Sequence, residues 1–194
     1  MSQEKFQQAI QQIDQLNAED PNTESYNGID YPKELLYAQR MSEALDQFEP
    51  QAKESLKIAA RAQHIARWKI DRQSYPMDRA GYLKWRTDLK KMHAELTASI
   101  LEKVGYNTEF IKEVGDLIQK KLLKKNNDAQ TLEDVVCLVF LNYYFVDFSE
   151  KHTQEKLIGI IQKTWAKMSE KGQASALALD LGTPTRALIE KALS

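Results

Sequence analysis

Apolar side chains recur along most of this chain at intervals of three and four, the spacing that places them on one face of an α-helix. Phe6, Ile10, Ile13 and Leu16 mark a first amphipathic helix that should end before Asp20-Pro21. The stretch from Asn17 to Tyr31 is rich in Asn, Asp, Glu and Gly and reads as loop. Pro32, preceded by Asp30 and Tyr31, is a favoured first-turn residue, and Leu35, Leu36, Met41 and Leu45 carry a second helix. Pro50 opens a third helix that the spacing extends to Trp68, Asp71 to Met77 is a connection, and Asp78 to Val104 is a long fourth helix closed by Gly105. Thr108 or Asn107 caps a fifth through about Leu122, where Lys124-Lys125-Asn126-Asn127 breaks the pattern. Leu132 to Phe148 is apolar and aromatic, Gln154 to Met168 continues with Leu157, Ile160, Ile161 and Trp165, and Gly172 marks a stop. Thr183-Pro184 then has the form of an N-cap followed by a first-turn proline, starting a short terminal helix. No alternating strand segment, repeat or low-complexity tract is visible, so the expected fold is all-α.

Length turns this string of helices into one unit. A chain of 194 residues with 42% hydrophobic content suffices for one well-buried core and is short for two, so a single domain over 1–194 is expected. No apolar run approaches the roughly 18 residues needed to cross a bilayer, and Met1-Ser2-Gln3-Glu4-Lys5 lacks the basic-then-apolar order of a signal peptide. A cytoplasmic protein without membrane association is the expectation. The single cysteine, Cys137, excludes an internal disulfide and a cysteine-built zinc site, and its setting in Val135-Val136-Cys137-Leu138-Val139 reads as inert core.

The net charge of −1 conceals a segregation. Between Lys57 and Lys91 ten basic side chains face three aspartates, Asp71, Asp78 and Asp88, so that segment carries +7 and the remainder −8. Arg61, Arg67, Trp68, Arg72, Tyr75, Arg79, Tyr82, Lys84, Trp85 and Arg86 interleave guanidinium groups with aromatic rings. Guanidinium groups hold phosphate bidentately and aromatic faces stack on bases, so this composition suits a nucleotide or nucleic-acid site. Solvated helix faces with local pairing, Arg67 to Asp71 for example, are the structural counterpart. Lys120, Lys121, Lys124 and Lys125 extend the positive rim or simply end a helix.

Five segments bear on the chemistry. Tyr37-Ala38-Gln39-Arg40-Met41, Ala59 to Arg67 with Gln63-His64 at its centre, His93 to Leu101 followed by Gly105, Ile118-Gln119-Lys120-Lys121, and Leu132-Glu133-Asp134 occur in that order. Laid on the HD-domain metal-dependent phosphohydrolase superfamily, they resemble the helices that carry its ligand set. Tyr37 stands where that superfamily has its first histidine, Gln63-His64 replaces His-Asp, and Asp134 matches the final aspartate. The resemblance covers about residues 33–145 and implies an HD-like helical bundle with extra N-terminal helix and C-terminal helices at about 151–194. The whole chain is also similar to an uncharacterised domain-of-unknown-function family whose members sometimes carry a glutamyl-tRNA synthetase label; no nucleotide-binding signature of a synthetase is visible here.

With the ligand histidines and first aspartate replaced, no cofactor is expected and the inherited metal site is read as lost. A rearranged divalent-metal site would use His64, His93 and Asp134, which are the catalytic candidates if the chain is an enzyme, then a phosphohydrolase acting on a nucleotide or other phosphate ester. Each has a structural reading beside it. His64 fits a core histidine satisfied by a backbone carbonyl, His93 a half-buried helix residue, and Asp134 a capping box with Thr131. The leading expectation is a phosphorylated-ligand or nucleotide-binding protein using Arg61, His64, Arg67, Arg72, Arg79, Tyr82 and Arg86. RNA binding or scaffolding by the basic 57–91 surface is the third alternative. Oligomeric state is not encoded in any motif, although Tyr143-Tyr144-Phe145 suits a partner helix as well as a core.

Overall fold

Ten helices and one short hairpin form from the residues that the computed structural model describes, 2–121, 123 and 125–194. Among them the fold is all-α, as the periodicity predicts. The helices are α1 (Ser2–Asn17), α2 (Lys33–Phe48), α3 (Glu54–Arg61), α4 (Arg79–Val104), α5 (Thr108–Ile118), α6 (Asn127–Val139), α7 (Phe145–Ser149), α8 (Gln154–Trp165), α9 (Glu170–Ala178) and α10 (Gly182–Leu193). None is long and apolar enough to cross a membrane. Helix α2 lies against α3 and α6, α4 runs along α5 and α1, α6 meets α9, and α8 pairs with α10. Their facing sides supply Ile13, Met41, Leu45, Leu56, Leu101, Leu117, Leu132 and Phe145 to one buried cluster. Each such side chain stabilises the fold by about 1.5–3 kcal/mol relative to exposure.

The segment read as loop between α1 and α2 contains a hairpin, β1 (Thr23–Tyr26) and β2 (Ile29–Pro32), paired antiparallel with Tyr26 opposite Ile29. Asn27 and Gly28 both have positive φ, 52° and 78°, the requirement of a tight primed turn. The strands are only four residues each and largely exposed, too short for alternation to give a signal; the Asn-Gly pair is the local mark. Tertiary contacts hold the hairpin down. Buried Arg40 pairs with Glu24, donates to the Tyr144 hydroxyl at 2.8 Å, and lies against the rings of Tyr26, Tyr143 and Tyr144. Behind the hairpin, Asp20 accepts from the Glu34 amide at 3.0 Å and so caps α2 from outside its own sequence neighbourhood.

Several helix ends differ from the periodic reading. Helix α3 stops at Arg61 instead of continuing to Trp68, because Ala66 takes a left-handed conformation (φ 53°) and donates its amide to buried Asn17 Oδ1 at 3.0 Å. Asn107 caps α5, which ends at Ile118; the expected end at Leu122 lies outside the described residues. Asn126 caps α6, so Asp134 lies mid-helix and forms no capping box with Thr131. It serves another helix instead, accepting from the Ser169 amide at 2.8 Å and its hydroxyl at 2.5 Å at the start of α9. Gly172 therefore stops nothing: it sits inside α9, where an added Cβ would lie 2.6 Å from Asp134 Oδ1. Helix α6 passes into a π-helical segment, Phe140–Tyr144, before α7.

Candidate functional site

A cavity of about 610 Å³ opens between α2, the turn after α3, α4, α6 and α8. Helical spacing explains its walls. Lys33, Glu34 and Tyr37 share one side of α2, while Tyr82, Arg86, Leu89, Lys90 and His93 form a single stripe on α4. Glu133 and Cys137 do the same on α6, and Phe140 and Tyr144 follow from the π-helical segment, a local widening often found at functional sites. The strained turn at Ala66 brings in Gln63, His64 and Arg67, and Lys120 and Lys167 complete the rim.

His64 is the hub of this arrangement. Its ring stacks on Tyr37 with centroids 4.0 Å apart and an interplanar angle of 12°, and lies 6.1 Å from the His93 ring. Arg67 Nη1 is 3.0 Å from His64 Nε2 and 3.4 Å from Nδ1, and Glu34 is 3.4 Å from Nδ1. A guanidinium only donates, so this contact favours a neutral imidazole. Burial, then the positive charges of Arg67 and Lys120, hold His64 well below its usual pKa; the 27% of the side chain that is exposed opens into the cavity. His93 is 2% exposed, and its Nδ1 donates to the Ile65 carbonyl at 2.7 Å. Burial and then His64 push it down to about 3. Burial also raises the Glu34 carboxyl to about 7, against the pull of Arg67.

Among the described residues six cationic side chains line the cavity, Lys33, Arg67, Arg86, Lys90, Lys120 and Lys167, against the two carboxylates Glu34 and Glu133. Glu133 pairs with Lys120 and with Lys167 at 3.8 Å; burial alone would raise its carboxyl, but these ammonium groups hold it low. Among the described residues no carboxylate lies within 4 Å of Lys33, Arg86 or Lys90. Lys90 is pushed down by burial and by the neighbouring Arg86 and Lys120. Arg67 spreads over Trp85 at 4.9 Å, and Trp85 is anchored by its indole N–H on the Ile70 carbonyl at 2.9 Å. Cys137 lines the same space, its thiol pushed up to about 12 by burial, which disfavours the thiolate.

Residues 7–189 match the family profile described as Domain of unknown function (DUF4202). The chain belongs to that family. No curated protein and no solved structure matches it. Every residue lining the cavity of this DUF4202 chain lies inside the matched region.

Of the residues singled out in the sequence, His64, Arg67, Tyr82, Arg86 and His93 meet at this cavity in the DUF4202 chain. Arg61 turns away to a bidentate pair with Asp14, both contacts at 2.7 Å, and to Ser42. Arg72 donates to the carbonyls of Tyr75 and Asp78, and Arg79 is exposed at the start of α4. Arg67 does not pair with Asp71, which instead accepts from the Gln73 amide at 3.0 Å. Lys121 pairs with Asp116, and Lys124 lies outside the described residues. The carbonyl-satisfied core histidine is His93, not His64.

Asp134 is 1% exposed, engaged with Ser169, and absent from the cavity wall; Glu133 points there in its place. Among the described residues no three His, Cys, Asp or Glu side chains are arranged to hold a metal ion. Sequence reading passed over Lys33, Glu34, Lys90, Glu133 and Lys167. The α4 spacing Arg86, Lys90, His93 and the α6 spacing Glu133, Cys137, Phe140 are the signals that place two of them on the stripes of known candidates.

Proposed function

We propose that the cavity binds a phosphorylated small molecule or nucleotide, on an HD-like helical scaffold whose metal-ligand set has been replaced. The observation that carries this reading is the group of cations without carboxylate partners among the described residues: half-buried Arg86 and Lys90 face the cavity, exposed Lys33 stands at its rim, and half-buried Arg67 faces a neutral imidazole. Holding unpaired positive charge out of water is costly, and a phosphate dianion relieves that cost while accepting several charge-assisted hydrogen bonds. Tyr82, Phe140, Tyr144 and Phe148 give the same cavity flat aromatic and apolar surface for the rest of a ligand. In support of the HD-like reading, Tyr37, Gln63-His64 and His93, from three of the resembling segments, line one cavity.

Calorimetric titration with inorganic phosphate, pyrophosphate and AMP tests the proposal. Binding should be saturable, and Arg86→Gln should weaken it about tenfold, the worth of one charge-assisted hydrogen bond. Arg61→Gln should change affinity less than about twofold while lowering stability, since its guanidinium is committed to Asp14. No binding of any probe at millimolar concentration, or equal affinities for parent and Arg86→Gln, refutes the reading. A second, catalytic reading rests on Glu34, whose carboxyl is raised to about 7 beside His64 and so suits proton transfer near neutrality. Release of phosphate from AMP by the parent but not by Glu34→Gln would establish it.

A further inference from the structure

The cations explain one end of a ligand, but a bare phosphate fills only a small part of 610 Å³. Between Arg67 on the turn after α3 and Lys90 on the α4 stripe, the same lining also carries two uncharged polar side chains, Gln63 and His93. Gln63 is 4% exposed, lies on the cavity wall, and its Oε1 has no hydrogen-bond partner among the described residues. Buried amide oxygens are nearly always satisfied, and leaving one unpaired destabilises a fold, so such a group in a cavity wall marks a contact supplied by something else. Oε1 is itself shielded from solvent, so contact with a ligand requires rotation of the amide about its last side-chain bond.

His93 adds a second acceptor on the same wall. Because Nδ1 donates to the Ile65 carbonyl, the neutral ring carries its lone pair on Nε2. The two residues come from different elements and line the same cavity, and the His93 ring lies 6.1 Å from the His64 ring that Arg67 contacts. Building on the anion-binding reading above, we infer that this wall selects the uncharged end of the ligand: the cavity takes a phosphate ester whose other end offers hydroxyl or amine N–H donors to Gln63 Oε1 and His93 Nε2. A phosphate ester with a purely apolar end leaves both acceptors unpaired and is rejected on that ground, as sites built to hydrogen-bond a substrate group reject analogues that lack it.

The experiment compares inorganic phosphate, phenyl phosphate, ribose 5-phosphate and AMP by calorimetry on the full chain, for the parent, Gln63→Leu and His93→Asn. His93→Asn retains a donor near the Nδ1 position and removes the Nε2 lone pair. The parent should bind ribose 5-phosphate or AMP at least about tenfold more tightly than phenyl phosphate. Preference for both points to hydroxyl donors, and preference for AMP alone to the base amine. Each variant should reduce that preference, read as the ratio of ester affinities within one variant, to about threefold or less. Ligand-free Gln63→Leu should melt at or above the parental temperature, since it removes an unpaired buried acceptor. Phenyl phosphate binding as tightly as the other two esters, or a preference surviving in both variants, overturns the inference while leaving Arg86-dependent phosphate binding standing. A Gln63→Leu protein that melts several degrees lower with its preference intact shows a packing role and overturns it too. Absence of all phosphate binding removes this inference together with the reading beneath it.

Discussion

Replacing His93 by Asn should flatten the acid side of the stability curve. A histidine pushed down to about 3 in the folded protein binds fewer protons there than in the unfolded chain, where 6.5 applies. Acid therefore favours unfolding. The cost begins near pH 6.5 and grows by about 1.4 kcal/mol per pH unit until the folded-state value is reached. From pH 7.5 to pH 5 the His93 share is about 2 kcal/mol. His64, also held low, adds loss in the same direction. Glu34 opposes both, because a carboxyl raised from 4.5 to about 7 stabilises the fold below pH 4.5 and loses that contribution as pH rises through 7. The comparison of parent with His93→Asn largely removes those shared terms. Asn keeps a donor for the Ile65 carbonyl, so its packing loss is an offset that does not vary with pH. Urea denaturation at pH 7.5, 6.5, 5.5 and 5.0 should show a parental loss steeper by about 2 kcal/mol across the range. Parallel curves, within about 0.5 kcal/mol, would refute the assignment of His93 as a buried neutral imidazole.

Three further outcomes follow from the contacts and charges of the fold. Asp134→Ala should cost about 2–4 kcal/mol, because it strips a buried acceptor from the Ser169 amide and hydroxyl at the start of α9. Gly172→Ala should cost about 1–3 kcal/mol despite the better helix propensity of alanine, and the double variant should lose at least about 1 kcal/mol less than the sum, since truncating Asp134 removes the oxygen that the new Cβ meets. Additivity within about 0.3 kcal/mol on urea denaturation would contradict that contact. Glu34→Gln should tighten inorganic phosphate binding by about threefold or more at pH 8, where the parental carboxylate is ionised, and by little at pH 6, where it is mostly protonated. An equal effect at the two pH values on calorimetry would count against the raised carboxyl.

Periodicity made the helices legible because burial of one face is written locally, every three or four residues. It located α4 from its Asp78 cap to Gly105, and it placed Ile13, Met41 and Leu45 in the core. The errors have one physical origin. Asn17, Asp20, Arg40 and Asp134 each satisfy a backbone or side-chain group in an element distant in sequence, and each contact decides where an element begins, ends or docks. A helical pattern running through Ala59 to Trp68 holds no trace of the Asn17 side chain that stops it.

The candidate site divides the same way. Local sequence determined residue types and helical phase: a stripe of Tyr82, Arg86 and His93 on α4. Tertiary structure alone decided which cations are free to meet an anion. Arg61, inside the basic segment, is neutralised by Asp14 from α1, while Lys90 and Lys33, drawn from different helices, face the cavity without such a partner. Charge pairing across packed helices depends on which faces meet, and that is a property of the assembled core, not of any stretch of chain.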